Sequence, residues 1–225
     1  MYNETMNAED LFQKAEQCRH NEKLADALDF YNKAIQACSE TEEKIIIAES
    51  FHMIGVVLLE MEEYEQSLKY LDQSENCYEL IHDSDMVGAV LRDKAAVMME
   101  LKDYARAEVF IKESIRYLEK GESMGHLGIS EVRLGSLYRH LEELDQAEAL
   151  IHQGIAHIKQ SQDRFFESSA YYQLALVFQD RKELFEARTS AERALRILEH
   201  ISRESMYVER KKEIRNFIES LNKEQ

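Results

Sequence analysis

Small residues recur along this chain at a fixed interval. Ala27, Ser67, Ala107, Ala147 and Ala187 stand 40 positions apart without slippage. Each closes a stretch of one form, a charged turn, then Leu or Tyr, two residues and a small residue: NEKLADAL, MEEYEQSL, LKDYARAE, LEELDQAE and RKELFEAR. Twelve positions upstream lie Ala15, Gly55, Ala95, Gly135 and Ala175, and seven downstream lie Ala34, Ser74, Ser114, Gly154 and Ala194. All fifteen are Ala, Gly or Ser, types that supply only 43 of the 225 residues, so the register is not a compositional accident. Large residues keep step with them. Cys18, Leu58, Met98, Tyr138 and Phe178 share one offset, and Leu24, Tyr64, Tyr104, Leu144 and Leu184 another. Tyr31, Leu71, Ile111 and Ile151 share a third, from which the fifth copy departs with Ala191. Close packing demands such a pattern: two helices approach only where small side chains meet, and large ones fill the flanking grooves.

On both sides of each charged turn the apolar spacing is helical, as Phe51, Ile54, Leu58 and Met61 show in the second copy. The pattern predicts five hairpins of helix A, turn and helix B over about 7–38, 43–81, 85–119, 125–160 and 165–200. One hairpin cannot cover its own apolar face, so neighbours stack into a continuous core. Gly121–Glu122–Ser123 and Ser161–Gln162–Asp163 fall where hairpins join. Over residues 204–222, Tyr207, Ile214, Phe217, Ile218 and Leu221 form one stripe ringed by charge, which predicts a capping helix. Composition points the same way: there is no proline and there are only seven glycines, whereas sheets with many tight turns need both. The fold class is therefore all-α, a solenoid of five helical hairpins plus a C-terminal cap, in one domain over 1–225.

The formal charge of −16 is spread along the chain and repels phosphate backbones, which argues against nucleic acid as a partner. It serves solubility or favours basic partners. Cys18, Cys38 and Cys77 are odd in number and far apart, forming neither a disulfide framework nor a zinc motif. Neither a signal-peptide core nor an apolar run of membrane-spanning length is present, so a cytoplasmic setting without membrane association is expected.

The small and large positions resemble the tetratricopeptide repeat, whose pattern is an aromatic, Leu-Gly and Tyr in helix A, then Ala, an aromatic and Ala in helix B. Phe51, Ile54, Gly55 and Leu58 match in the second copy, and Leu134, Gly135, Tyr138 and Ala147 in the fourth. Tyr171, Leu174, Ala175, Ala187 and Ala194 match in the fifth. Leu11, Phe51, Leu91, Glu131 and Tyr171 stand where the family carries Trp, the closing Pro is absent, and the period is 40 rather than the usual ~34. Long repeats of this kind resemble those of Rap/NprR/PlcR-type peptide receptors, kinesin light chains and some polarity adaptors. The resemblance implies a right-handed superhelix whose A helices line a concave groove. It also implies a non-catalytic adaptor that binds a protein or peptide there.

On that plan Phe12, Glu16, Arg19, His52, Val56, Leu59, Ala96, Met99, Val132, Ser136 and Leu176 face the groove. Arg92, Arg139, His140, Tyr172 and Gln179 are the candidate partner contacts. Arginine grips carboxylates and tyrosine offers rigid contact area. The bland alternative pairs the arginines with Glu100, Asp93 or Asp180. No lysine–asparagine carboxylate clamp is present, and none of Asn3, Asn7, Asn21, Asn32, Asn76, Asn216 and Asn222 sits squarely on the wall. Two other functions stay open: a peptide sensor lacking its effector segment, and self-assembly, with a homodimer formed through the first hairpin. His152 and His157 are five apart and off a common helix face, and no P-loop, GxGxxG or GxSxG occurs. Neither an enzyme, a cofactor nor a metal is expected.

Overall fold

The structure, a computed structural model, describes residues 6–38, 44–201 and 207–222. Residue 43 of the second predicted hairpin, residues 204–206 of the predicted cap and Asn3 lie outside the described residues. Among the described residues there are eleven α-helices and no strand. The A helices are α1 (Ala8–His20), α3 (Lys44–Glu60), α5 (Ser84–Glu100), α7 (Met124–His140) and α9 (Arg164–Asp180). Their B partners are α2 (Leu24–Ala37), α4 (Tyr64–Leu80), α6 (Tyr104–Leu118), α8 (Leu144–Ser161) and α10 (Leu184–Glu199), and α11 (Val208–Leu221) follows. The chain divides into two compact units, Met1–Phe110 and Ile111–Gln225.

Helix ends are set locally. Asn7 and Asp83 accept from the backbone N–H of Asp10 (2.8 Å) and Met86 (3.0 Å), and Asp163 accepts from Phe165 (3.1 Å) and Phe166 (3.2 Å). At the A–B turn of the second hairpin the Glu62 N–H donates to Leu59 O (3.0 Å) and the Glu63 N–H to Leu58 O (2.8 Å). Those two bonds are a Schellman closure. Such a closure puts its penultimate residue in the left-handed region, normally a glycine position. This chain uses none there: Glu22, Glu62, His82, Lys102, Glu142, Gln162 and Lys182 all have φ between 59° and 64°.

All fifteen small residues of the 40-residue register are buried. They are buried because helices touch there. A Cβ on Gly128 of α7 would lie 2.5 Å from Gly154 O of α8, and a Cβ on Gly154 would lie 2.5 Å from Gly128 O. In the second hairpin a Cβ on Gly55 would meet Leu71 at 2.7 Å. At two of the three serines in small positions the hydroxyl bonds the partner helix, Ser67 to Gly55 O (2.7 Å) and Ser74 to Ala48 O (2.9 Å), while Ser114 meets Ser130 of α7 (2.9 Å).

Among the departures from the register that carry charge inside are Lys94 and Glu131. Lys94 stands where Ile54, Leu134 and Leu174 are apolar, and it is held by Asp72 and Glu75 of α4. Glu131 stands where the other copies have Leu or an aromatic residue, and it is held by Gln153 (2.6 Å) and His157 (2.7 Å) of α8. Burial leads the influences on Glu131 and pushes its carboxyl above the usual range, with the His157 bond opposing.

Helix α11 keeps the register of an A helix, since buried Ile214 follows Leu174 by 40. The position 40 after Ala175 is Arg215, exposed and paired with Glu199 (3.0 Å). A guanidinium there disfavours the close approach of a B helix, and α11 packs against α10 of the fifth hairpin.

Two measurements test this account. Gly154→Ala forces α7 and α8 apart, so urea unfolding should show a loss of about 2–3 kcal/mol, in the range of core overpacking. Glu142→Gly relieves left-handed strain at the cost of a freer unfolded chain, so it should gain about 0.5 kcal/mol.

Candidate binding groove

The A helices present their groove-side positions in the same 40-residue register. In the first unit these positions satisfy one another. Arg19 bonds Glu16 (2.9 Å), and the Tyr31 hydroxyl also donates to Glu16. Burial works against the Glu16 charge, but the Arg19 and Tyr31 hydrogen bonds outweigh it and hold the carboxyl below the usual range. His52 Nε2 lies 2.8 Å from Asp93 Oδ2, joining α3 to α5. Arg92 donates to Asp93 through Nε (3.2 Å) and Nη2 (3.3 Å). Desolvation works against the charge of half-buried Asp93, yet the Arg92 charge and the His52 bond hold its carboxyl well below the usual range. Arg92 itself is 11% exposed at its side chain, and its Nη1 is buried with no hydrogen-bond partner among the described residues.

The second unit differs. Here Ile129, Val132, Arg133 and Ser136 of α7 face Phe165, Phe166, Ser169 and Gln173 of α9 across a cavity of about 270 Å³. Ala170 of α9, Ile158 of α8 and Arg210 of α11 complete its lining. The Ser136 hydroxyl donates to Gln173 Oε1 (3.1 Å), and Phe165 stacks on Tyr207 with centroids 4.9 Å apart. Beside the cavity, the Arg210 guanidinium lies over the Tyr172 ring at 4.6 Å, a cation–π contact. Arg210 Nη1 also donates to Glu213 (2.6 Å). Phe217 meets Tyr172 edge-on at 5.4 Å.

Of the five candidate contacts, Arg92 lies in the first unit, tied to Asp93. Arg139, His140, Tyr172 and Gln179 lie in the second. Arg139 Nη1 bonds Asp180 (2.9 Å), while its Nε is buried without a hydrogen-bond partner among the described residues. Tyr172 is buried beside α11, and its phenol is pushed up to about 12 by burial first and the Glu213 charge next, with Arg210 and Arg139 opposing. His140 ends α7 and is exposed, and Gln179 sits half-buried in the last turn of α9. The arginines thus pair with two of the three acidic residues that the sequence offered, Asp93 and Asp180. Sequence reasoning missed Arg133 and Gln173, which repeat the offset of Asp93. It also missed the Phe165–Phe166 pair, and it took the charges around the stripe of residues 204–222, Arg210 among them, only as its surround.

Among the described residues no group of three or more His, Cys, Asp or Glu could hold a metal ion, and no helix is long and apolar enough to cross a membrane. What remains is a preformed, partly aromatic cleft with fixed polar groups, suited to noncovalent recognition.

Residues 5–80 match the family model of the tetratricopeptide repeat. No curated protein matches the chain. Among solved structures, a Rap protein complexed with competence and sporulation factor is similar with a TM-score of 0.77 at 12% identity, over 95% of this chain and 64% of that one. Aspartyl phosphate phosphatase F from Bacillus subtilis gives 0.72 at 16% identity, over 96% and 59%. BtubC from P. vanneervenii gives 0.66 at 16% identity, over 84% and 78%. The chain spans less than two thirds of the first two proteins. At these identities the likeness is one of fold, an all-α helical-repeat solenoid.

The Tyr172 environment has a measurable signature. Its protonated phenol is favoured by the fold, so that contribution is complete below the ordinary phenol range and is lost as pH rises through about 12. Compared with Tyr172→Phe in alkaline urea titrations, the native chain should lose stability more steeply between about pH 10 and 12.

Proposed function

Because the chain is a tetratricopeptide-type repeat protein, we propose that it is a non-catalytic adaptor that holds a protein or peptide against its A helices. The observation that carries this reading is the cleft of α7, α9 and α11, whose polar groups are already in place. Preformed groups bind with little ordering cost, and a repeat surface adds contact area from several helices. Arg139, Tyr172 and Gln179 are the contacts of the second unit in this reading, with His140 at the rim, and Arg92 serves the first. Partner binding is known among its structural neighbours, one of which is a Rap protein in complex with competence and sporulation factor. A cytoplasmic setting is part of the proposal: Cys18, Cys38 and Cys77 are in no disulfide, as a reducing compartment requires.

A photo-crosslinking amino acid placed at Ser169, on the cleft, should capture a defined partner from source-cell lysate, while the same group at exposed Thr189 of α10 should not. Equal capture at both positions, or at Thr189 alone, moves the binding surface off the A helices.

A further inference from the structure

We infer that the exposed face of α10 is a docking surface for a second copy of this chain, with Phe185 of each protomer seated in a socket on the other. This surface is separate from the groove of the A helices and does not depend on it. Two departures from the 40-residue register meet here, one making the socket and one the plug. Phe30, Tyr70, Phe110 and Leu150 share an offset in the first four copies, and the fifth has Ser190. In the second hairpin the Tyr70 ring packs against Phe51, with centroids 6.1 Å apart. The equivalent pair in the fifth is Tyr171 and Ser190, so the large side chain that the other copies supply is missing. A cavity of about 290 Å³ lies there, with Tyr171, Leu174 and Phe178 of α9 in its wall and Ser190 and Arg193 of α10 beside them.

The plug stands at the mouth of that cavity. At its offset the other copies have Ala25, Glu65, Ala105 and Asp145, small or charged residues suited to water. Of the nine phenylalanines Phe185 alone is exposed, at 74%, so it borders the cavity without filling it. An unrelated partner would fill the socket and leave Phe185 in water, whereas a second copy covers both at once. Helix spacing fixes how the copies meet. Phe185, Thr189 and Arg193 are four residues apart on one face of α10. A two-fold axis at Thr189 crosses two α10 helices antiparallel and brings each Phe185 to the partner's Arg193, a residue whose guanidinium lies 4.3 Å over the Tyr171 ring. The same crossing sets exposed Glu186 beside the partner's Arg193, opposite charges at the rim of each socket.

Sedimentation velocity on the full chain, from about 1 μM to about 1 mM, is the test. The mass should rise from monomer to dimer with concentration. Phe185→Asp, which installs the residue of the fourth copy, should weaken association at least about tenfold. Ser190→Phe, with helicity unchanged, should do the same by filling the socket from within. Val109→Asp, which removes another exposed apolar side chain, should leave association within about twofold. A crosslinker at Thr189, on the axis, should join two copies of this chain and still capture nothing from lysate. A chain that stays monomeric over the whole range overturns the inference. So does a dimer indifferent to Phe185→Asp or to Ser190→Phe, or one lost equally with Val109→Asp.

Discussion

The approach of helix A to helix B at a small residue is the contact on which the other features depend. At Gly128 and Gly154 the two backbones are so near that a single methyl group would strike a carbonyl oxygen. The hairpin angle, the grooves that receive Leu71 or Ile151, and the direction in which each A helix turns its other face all follow from that approach. At Ser67 and Ser74, where serine replaces glycine or alanine, the hydroxyl gives its hydrogen to the facing carbonyl, so the polar atom is satisfied at the tightest point of the packing.

This dependence explains why so much of the fold was legible. A position that tolerates only Ala, Gly or Ser leaves a mark in every copy, and fifteen such marks fixed the five hairpins and their register. The charged turns were equally plain. The polar departures were not. Glu131 could be seen as an oddity, but its partners Gln153 and His157 lie 22 and 26 residues away, and no spacing rule joins them. The cleft was half legible for a related reason. Val132, Ser136 and Tyr172 followed from the offsets, while Asp93, Arg133 and Gln173 share an offset with no common chemistry and so left no pattern to read. Arg210 needed the packing of α11 to become visible.

One backbone plan therefore carries two electrostatic characters. In the first unit the groove charges close on one another, as Glu16 does with Arg19 and Tyr31 and as Asp93 does with Arg92 and His52. In the second unit the A helices leave a cleft whose charged lining has one sign. The fold supplies positions and spacing, and the side chains placed at them decide what each face recognises.

The hairpin contacts also have a kinetic side. Ser67 reaches Gly55 across 12 residues, Ser74 reaches Ala48 across 26, and Gly128 meets Gly154 across 26. None of these loops is longer than a single 40-residue repeat. Chains built from such short-range contacts face small loop-closure entropies and fold on fast timescales, and in repeat arrays a nucleus in one unit propagates to the next. Each hairpin can close as soon as its own 40 residues are available, so during synthesis the growing chain need not wait for its C-terminal half before burying its first apolar face.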